Sequence, residues 1–70
     1  MSYPNRIKEF RKSLGLTQKQ VGLKFREPKN SIVISRWERG INKPSVESLL
    51  ELARILKVEP SLILIFNKTD

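Results

Sequence analysis

The amino-acid sequence predicts an all-α fold, a single domain of five short helices. Apolar residues recur with the 3.6-residue period of an amphipathic helix in several segments, and no stretch alternates polar and apolar residues for long. Capping residues and helix-ending glycines separate these segments. With 70 residues the chain has room for one domain, which we expect to span residues 1–70 with an ordered core over residues 5–66.

The first predicted helix and the start of the second are marked by local capping signals. The first spans residues 5–14, and Gly15 follows it as a C-terminal cap. The second begins after Thr17, which forms a capping box with Gln20: each side chain accepts a hydrogen bond from the other residue's backbone N–H. This helix is expected to run to Phe25.

Gly22 is an unfavourable residue for the interior of the second helix. It costs about 1 kcal/mol relative to alanine, so we expect another helix to approach closely at this point. Val21 and Phe25 are expected to face the core.

A turn over residues 26–30 leads to the third predicted helix. Asn30 is its expected N-cap, the helix spans residues 31–39, and Gly40 ends it. Ile34 and Trp37 are three residues apart and are expected to face the core.

Two more helices complete the prediction. The fourth spans residues 46–56 after the N-cap Ser45, and the fifth spans residues 60–66 with Pro60 in its first turn. The face of the fourth helix expected to be buried carries Val46, Leu49, Leu50, Ala53 and Leu56.

The composition excludes several kinds of site. Cysteine is absent, which excludes a thiol enzyme, a zinc finger and a disulfide scaffold. Histidine is absent, which excludes a Ser-His hydrolase and removes the usual metal ligand. We therefore expect no enzyme activity, no metal, no cofactor and no small-molecule ligand. The N-terminus lacks an apolar signal core, and the longest apolar run, residues 62–66, is too short to span a membrane, so a cytoplasmic protein is expected.

Positive charge is concentrated in the N-terminal part of the chain. Residues 1–43 contain 11 basic and three acidic residues, a net charge of +8, whereas residues 44–70 contain three basic and four acidic residues, a net charge of −1. This asymmetry indicates that the N-terminal part meets a polyanion. On the first helix, Lys8, Arg11 and Lys12 are expected to add a general positive potential.

The second and third predicted helices, joined by a brief turn, form a helix-turn-helix pattern. In this arrangement the second helix of the pair lies in the major groove of DNA and offers side chains to base edges. Ile34 and Trp37 define the inward face. The residues expected on or near the outward face are therefore Ser31, Ile32, Ser35 and Arg36.

Four segments in order resemble a known family: residues 14–21 (LGLTQKQV), 34–40 (ISRWERG), 43–45 (KPS) and 49–58 (LLELARILKV). They resemble the Cro and lambda-repressor type, XRE-like helix-turn-helix domains of bacterial and phage regulators, over residues 5–66. The resemblance implies a compact five-helix domain in which helices 2 and 3 form the helix-turn-helix.

By position, the resemblance implies two sets of DNA-contacting residues, and a structural role for Glu38 at the end of the third helix. The base-reading residues are Ser31, Ile32, Ser35 and Arg36. The phosphate-binding residues that it implies are Gln18, Arg39, Asn42 and Lys43. We expect Lys19, Lys29 and Asn30 of this chain to bind phosphate as well. Gln18 is also expected to brace the reading helix.

The sequence departs from the family between the second and third helices. The turn is about two residues longer than usual and contains Pro28 in place of glycine. This change shifts the reading helix or brings Lys29 and Asn30 into contact with DNA. Ile32 either meets a thymine methyl group or is buried by the altered turn.

The apolar C-terminal segment predicts self-association. One face of a short helix cannot bury all of residues 62–66, and exposed apolar patches mark interfaces. We therefore expect a homodimer through Ile63, Ile65 and Phe66, which binds half-sites one DNA turn apart.

Taken together, the sequence predicts a small transcriptional regulator of repressor type that binds a specific double-stranded DNA sequence. The alternative is a protein-interaction module, such as an antitoxin-like or adaptor domain, which the apolar C-terminus favours. A nonspecific nucleoid or RNA binder is a weaker alternative because Tyr3 is the only aromatic residue expected outside the core and the apolar tail.

Overall fold

Four α-helices and one 3₁₀ helix make up the computed structural model, which describes residues 4–64. The helices are α1 (Ile7–Ser13), α2 (Gln18–Leu23), α3 (Ser31–Glu38) and α4 (Val46–Leu56), followed by the 3₁₀ helix Pro60–Leu62. The all-α prediction is therefore confirmed for the described residues, whereas the prediction of five α-helices is not.

The predicted capping residues occupy the predicted positions. Thr17 Oγ1 accepts from the backbone N–H of Gln20 at 3.0 Å, and Gln20 Oε1 accepts from that of Thr17 at 2.8 Å, which completes the capping box of α2. Asn30 caps α3 by accepting from Val33 N, and Ser45 caps α4 in the same way. Local sequence signals thus determine where these helices begin.

The core brings together residues from all four α-helices. Its fully buried side chains, which leave no more than a few per cent exposed, are Ile7, Val21, Ile34, Leu52, Leu56 and Ile63. Phe25 and Trp37 join them with their ring centroids 5.8 Å apart. Val21, Phe25, Ile34 and Trp37 therefore face inward as predicted.

The first turn of α1 carries a surface ion pair. The Arg6 guanidinium donates to both carboxylate oxygens of Glu9, at 3.1 and 2.9 Å, and these hydrogen bonds lower the pKa of the Glu9 carboxyl below its ordinary value. Arg6 also lies over the ring of Phe10, 4.8 Å from its centroid. Both groups of the ion pair are on the surface, so its effect on stability is small.

The buried face of α4 differs from the predicted one. Val46 is 73% exposed and Leu50 is 54% exposed, whereas Leu52 and Ile55 are buried beside Ala53 and Leu56. Apolar residues occupy seven of its eleven positions, so its sequence contains two overlapping apolar stripes with helical spacing. The neighbouring elements, not the period, decide which stripe is buried, and the prediction for Val46 and Leu50 was wrong.

The predicted fifth helix is only the 3₁₀ turn Pro60–Leu62. Ile63 O accepts from the backbone N–H of Arg6 at 2.8 Å, and Leu64 pairs with Asn5 in an antiparallel bridge. These bonds take the backbone groups that a continuing helix would use. The two ends of the described chain are therefore tied together, and Ile65 and Phe66 lie outside the described residues.

Within residues 4–64, no helix is long and apolar enough to cross a membrane.

Candidate nucleic-acid interface

The outward face of α3 carries the predicted base-reading residues. Ile32 is 60% exposed and Arg36 is also exposed, and the two lie one helical turn apart. Ser31 and Ser35 are half-buried at the edge of this face. The longer turn does not bury Ile32, so the alternative of burial is wrong, and contact with a thymine methyl group stays a prediction.

The inward side of α3 is held by packing and by a hydrogen bond. Ile34 is fully buried, and Trp37 is 6% exposed. Asn5 Nδ2 donates to the backbone carbonyl of Trp37 at 3.0 Å, which ties the last turn of α3 to the N-terminal segment. The helix is therefore fixed in rotation, which determines which side chains face outward.

Glu38 joins three helices through a buried ion pair. Arg11 on α1 donates Nε to Glu38 Oε2 at 2.5 Å and Nη2 to Oε1 at 3.2 Å. Gln18 at the start of α2 donates Nε2 to the same Oε1 at 3.0 Å. The side chains of Arg11 and Glu38 are only 10% and 3% exposed. The structural role predicted for Glu38 and the bracing role predicted for Gln18 are confirmed.

Arg11 does not belong to the positive surface. It was predicted to add a general potential with Lys8 and Lys12, but it is buried, paired with Glu38 and bonded through Nη1 to the Leu16 carbonyl at 2.8 Å. One signal in the sequence was overlooked: Arg11 follows the core residue Ile7 by four positions and so shares its helix face. Only the basic side chains that remain exposed can bind a polyanion.

Basic residues from α2 and from the turn line one groove. It is an open groove of about 520 Å³, and its lining residues are Lys19, Leu23, Pro28, Lys29, Asn30 and Ser31. Lys29 also lies over the ring of Phe25, with Nζ 5.4 Å from the centroid. The structure therefore brings predicted phosphate-binding residues together with the first residue of α3.

The other predicted phosphate-binding residues follow α3. Arg39, Asn42 and Lys43 are exposed. The backbone N–H groups of Ile41 and Asn42 both donate to the carbonyl of Arg36, which folds this loop back onto the end of α3. These side chains are therefore placed close to the C-terminal end of α3.

The sequence predicted that another helix approaches closely at Gly22, but the closest approach is made by the turn. Ile34 of α3 is in ordinary van der Waals contact at this position. A Cβ atom at position 22 would overlap the carbonyl oxygen of Lys29. Lys29 N also donates to Gly22 O at 3.0 Å. The missing side chain of Gly22 thus lets the long turn lie directly on α2.

A family comparison agrees with this geometry. A family model described as helix-turn-helix, of the Cro and XRE-like type, matches residues 7–63. The chain belongs to this helix-turn-helix family. The resemblance expected from the sequence is confirmed, and the family is one of DNA-binding regulator domains rather than of enzymes. No curated protein matches the chain.

In this helix-turn-helix domain, α2 and α3 are the two helices that give the family its name, and they pack against each other. Within residues 4–64, no group of three acidic side chains is arranged to hold a metal ion. The candidate site consists of the exposed face of α3 and the basic segments before and after this helix.

Proposed function

We propose that the protein is a transcriptional regulator of repressor type that binds a specific double-stranded DNA sequence with α3 in the major groove. The observation that carries this proposal is the outward face of α3, where Ile32 and Arg36 are exposed while Ile34 and Trp37 fix the helix from behind. A helix held in this way fits the roughly 12 Å width of the major groove.

The distribution of charge also supports the placement of α3 in the major groove. Basic residues flank α3 on both sides, with Lys19 and Lys29 before it and Arg39 and Lys43 after it. Phosphate contacts on both sides of a reading helix fix its register on the duplex, and base contacts then supply the specificity. Binding alone explains regulation in this proposal, and no catalytic step is needed.

Selection from a random duplex library tests the proposal. We expect enrichment of one sequence, bound at least about a thousandfold more tightly than scrambled duplex at the same salt concentration. If the library stays random after selection and all duplexes bind with equal affinity, sequence-specific binding is contradicted.

A homodimer remains part of the proposal, with a change in the residues that form it. Ile63 is fully buried in the core of its own chain and is not available to a second copy, contrary to its predicted role. The predicted contact then rests on Ile65 and Phe66. A palindromic selected sequence, with half-sites about 34 Å apart, would support the homodimer, whereas a single half-site bound by one chain would contradict it.

A further inference from the structure

The turn between α2 and α3 is attached to the rest of the fold at two points. At its far end, Lys29 N donates to the carbonyl of Gly22 on α2. Near its start, the backbone N–H of Arg26 donates to Glu51 Oε1 on α4, at 3.0 Å. Because Arg26, Glu27 and Pro28 are all exposed, packing does little to hold this stretch of backbone.

The Glu51 side chain, which accepts from Arg26 N, is partly buried. It is 29% exposed, and Arg54 Nη2 lies 3.8 Å from the same Oε1 that accepts from Arg26. A hydrogen bond from a backbone N–H to an ionised carboxylate is stronger than one to a neutral acceptor. The carboxylate therefore connects α4 to the turn that precedes the reading helix.

The position of Arg26 affects the start of α3. Phe25 is buried before it, and Lys29 rests against Gly22 after it, so only three residues of chain lie between these fixed points. Asn30 follows Lys29 directly and caps α3. A displacement of Arg26 consequently pulls on the Lys29 N to Gly22 O hydrogen bond, and loosening that bond moves the N-cap Asn30 and the first residues of α3.

We propose that Glu51 is a positioning residue for DNA recognition. It sets the path of the long turn, and thereby the placement of Lys29, Asn30 and the first turn of α3, without touching DNA itself. This inference rests on the proposed function. Glu51 is anionic, so it is unsuited to contact phosphate directly and acts through the backbone of Arg26.

A purely electrostatic effect of Glu51 and a positioning role predict different results when Glu51 is removed. Removing an acidic side chain raises the net charge by one, which on electrostatic grounds alone strengthens binding to every duplex. If Glu51 positions the turn, its loss instead weakens the preference for the selected sequence. Glu47 is a matched control because it is an exposed acidic residue one turn earlier on α4.

The experiment compares the full chain with Glu51→Ala, Glu51→Gln and Glu47→Ala. Glu51→Gln keeps a side-chain oxygen that can accept from Arg26 N, with the same change of charge. We expect the ratio of affinities for selected and scrambled duplex to fall about tenfold in Glu51→Ala and to stay within about threefold in the other two. Hydrogen exchange of the Arg26 amide should accelerate in Glu51→Ala and stay slow in Glu51→Gln.

The outcomes separate the two proposals. An equal affinity ratio in Glu51→Ala and Glu47→Ala overturns the positioning role and leaves the proposed function intact. Equal fast exchange of the Arg26 amide in wild type and Glu51→Ala also overturns it, since this measurement needs no DNA. A wild-type chain with no preferred duplex overturns the proposed function, and the effect on recognition falls with it.

Discussion

At the scale of single residues, the exposed face of α3 offers side chains of different chemistry to a base pair. Arg36 can donate two hydrogen bonds to guanine, and Ser31 and Ser35 can donate or accept. Ile32 can only make apolar contacts, and it leaves 60% of its surface exposed in the free protein. An aliphatic side chain in the major groove matches the 5-methyl group of thymine.

This match predicts sensitivity to a single methyl group. Replacing each thymine of the selected duplex in turn by uracil removes only that group. We expect one replacement to weaken wild-type binding about fourfold, which corresponds to about 0.8 kcal/mol for one buried carbon. Binding by Ile32→Ala should not change with the same replacement. Equal binding to every uracil-containing duplex by the wild type would show that Ile32 reads no methyl group.

Contacts between residues that are close in the sequence were predictable, and contacts between residues that are far apart in the sequence were not. The Thr17 and Gln20 capping box needs only neighbours three positions apart, and it forms as predicted. The Arg11 and Glu38 pair joins residues 27 positions apart, and nothing local in the sequence indicates that it forms. Glu51 was missed for the same reason, because its partner Arg26 is 25 positions away.

At the scale of elements, the helix-turn-helix is joined to α1 by polar bonds as well as by packing. The Arg11 and Glu38 pair lies at the junction of α1 and α3, and Gln18 brings the start of α2 to the same carboxylate. Breaking a buried ion pair costs more than replacing both of its members, because one charge is left without a partner.

This asymmetry predicts the stabilities of three variants. Arg11→Met should lower the free energy of unfolding by about 3 kcal/mol, and Glu38→Leu by a similar amount. The double variant should recover a large part of this loss, since no unpaired charge remains in the core. Chemical denaturation of each variant measures these values. Additive losses in the double variant would contradict the coupling of the two side chains.

Helix boundaries and buried faces differ in how well the sequence predicts them. Caps set the starts of α2, α3 and α4, so these were placed correctly from the sequence. The buried face of α4 depends on the elements that pack against it, and the end of the short 3₁₀ turn depends on where the N-terminal segment lies. The hydrogen bond from Arg6 N to Ile63 O is the clearest case, because it pairs two ends of the described chain.

At the level of the whole molecule, the excess positive charge lies on the part of the fold that contains α1, α2 and α3. Residues 1–43 carry a net charge of +8, and this region contains α1, α2, α3 and both basic segments around the reading helix. Arg11 is buried with Glu38, so the exposed positive charge comes from the other basic residues on α1, α2, the turn and α3 and from those after α3. The near-neutral remainder supplies α4, whose buried face completes the core.

In the proposed complex, α3 reads bases while the segments around it bind phosphate. The most direct test compares Arg36→Ala with Lys43→Ala on selected and scrambled duplexes at several salt concentrations. Arg36→Ala should weaken the selected duplex by about 1–3 kcal/mol, with little effect on the scrambled one. Lys43→Ala should weaken both duplexes alike and reduce the slope of log affinity against log salt by about one. An Arg36→Ala variant with unchanged affinity and unchanged sequence preference would contradict the account.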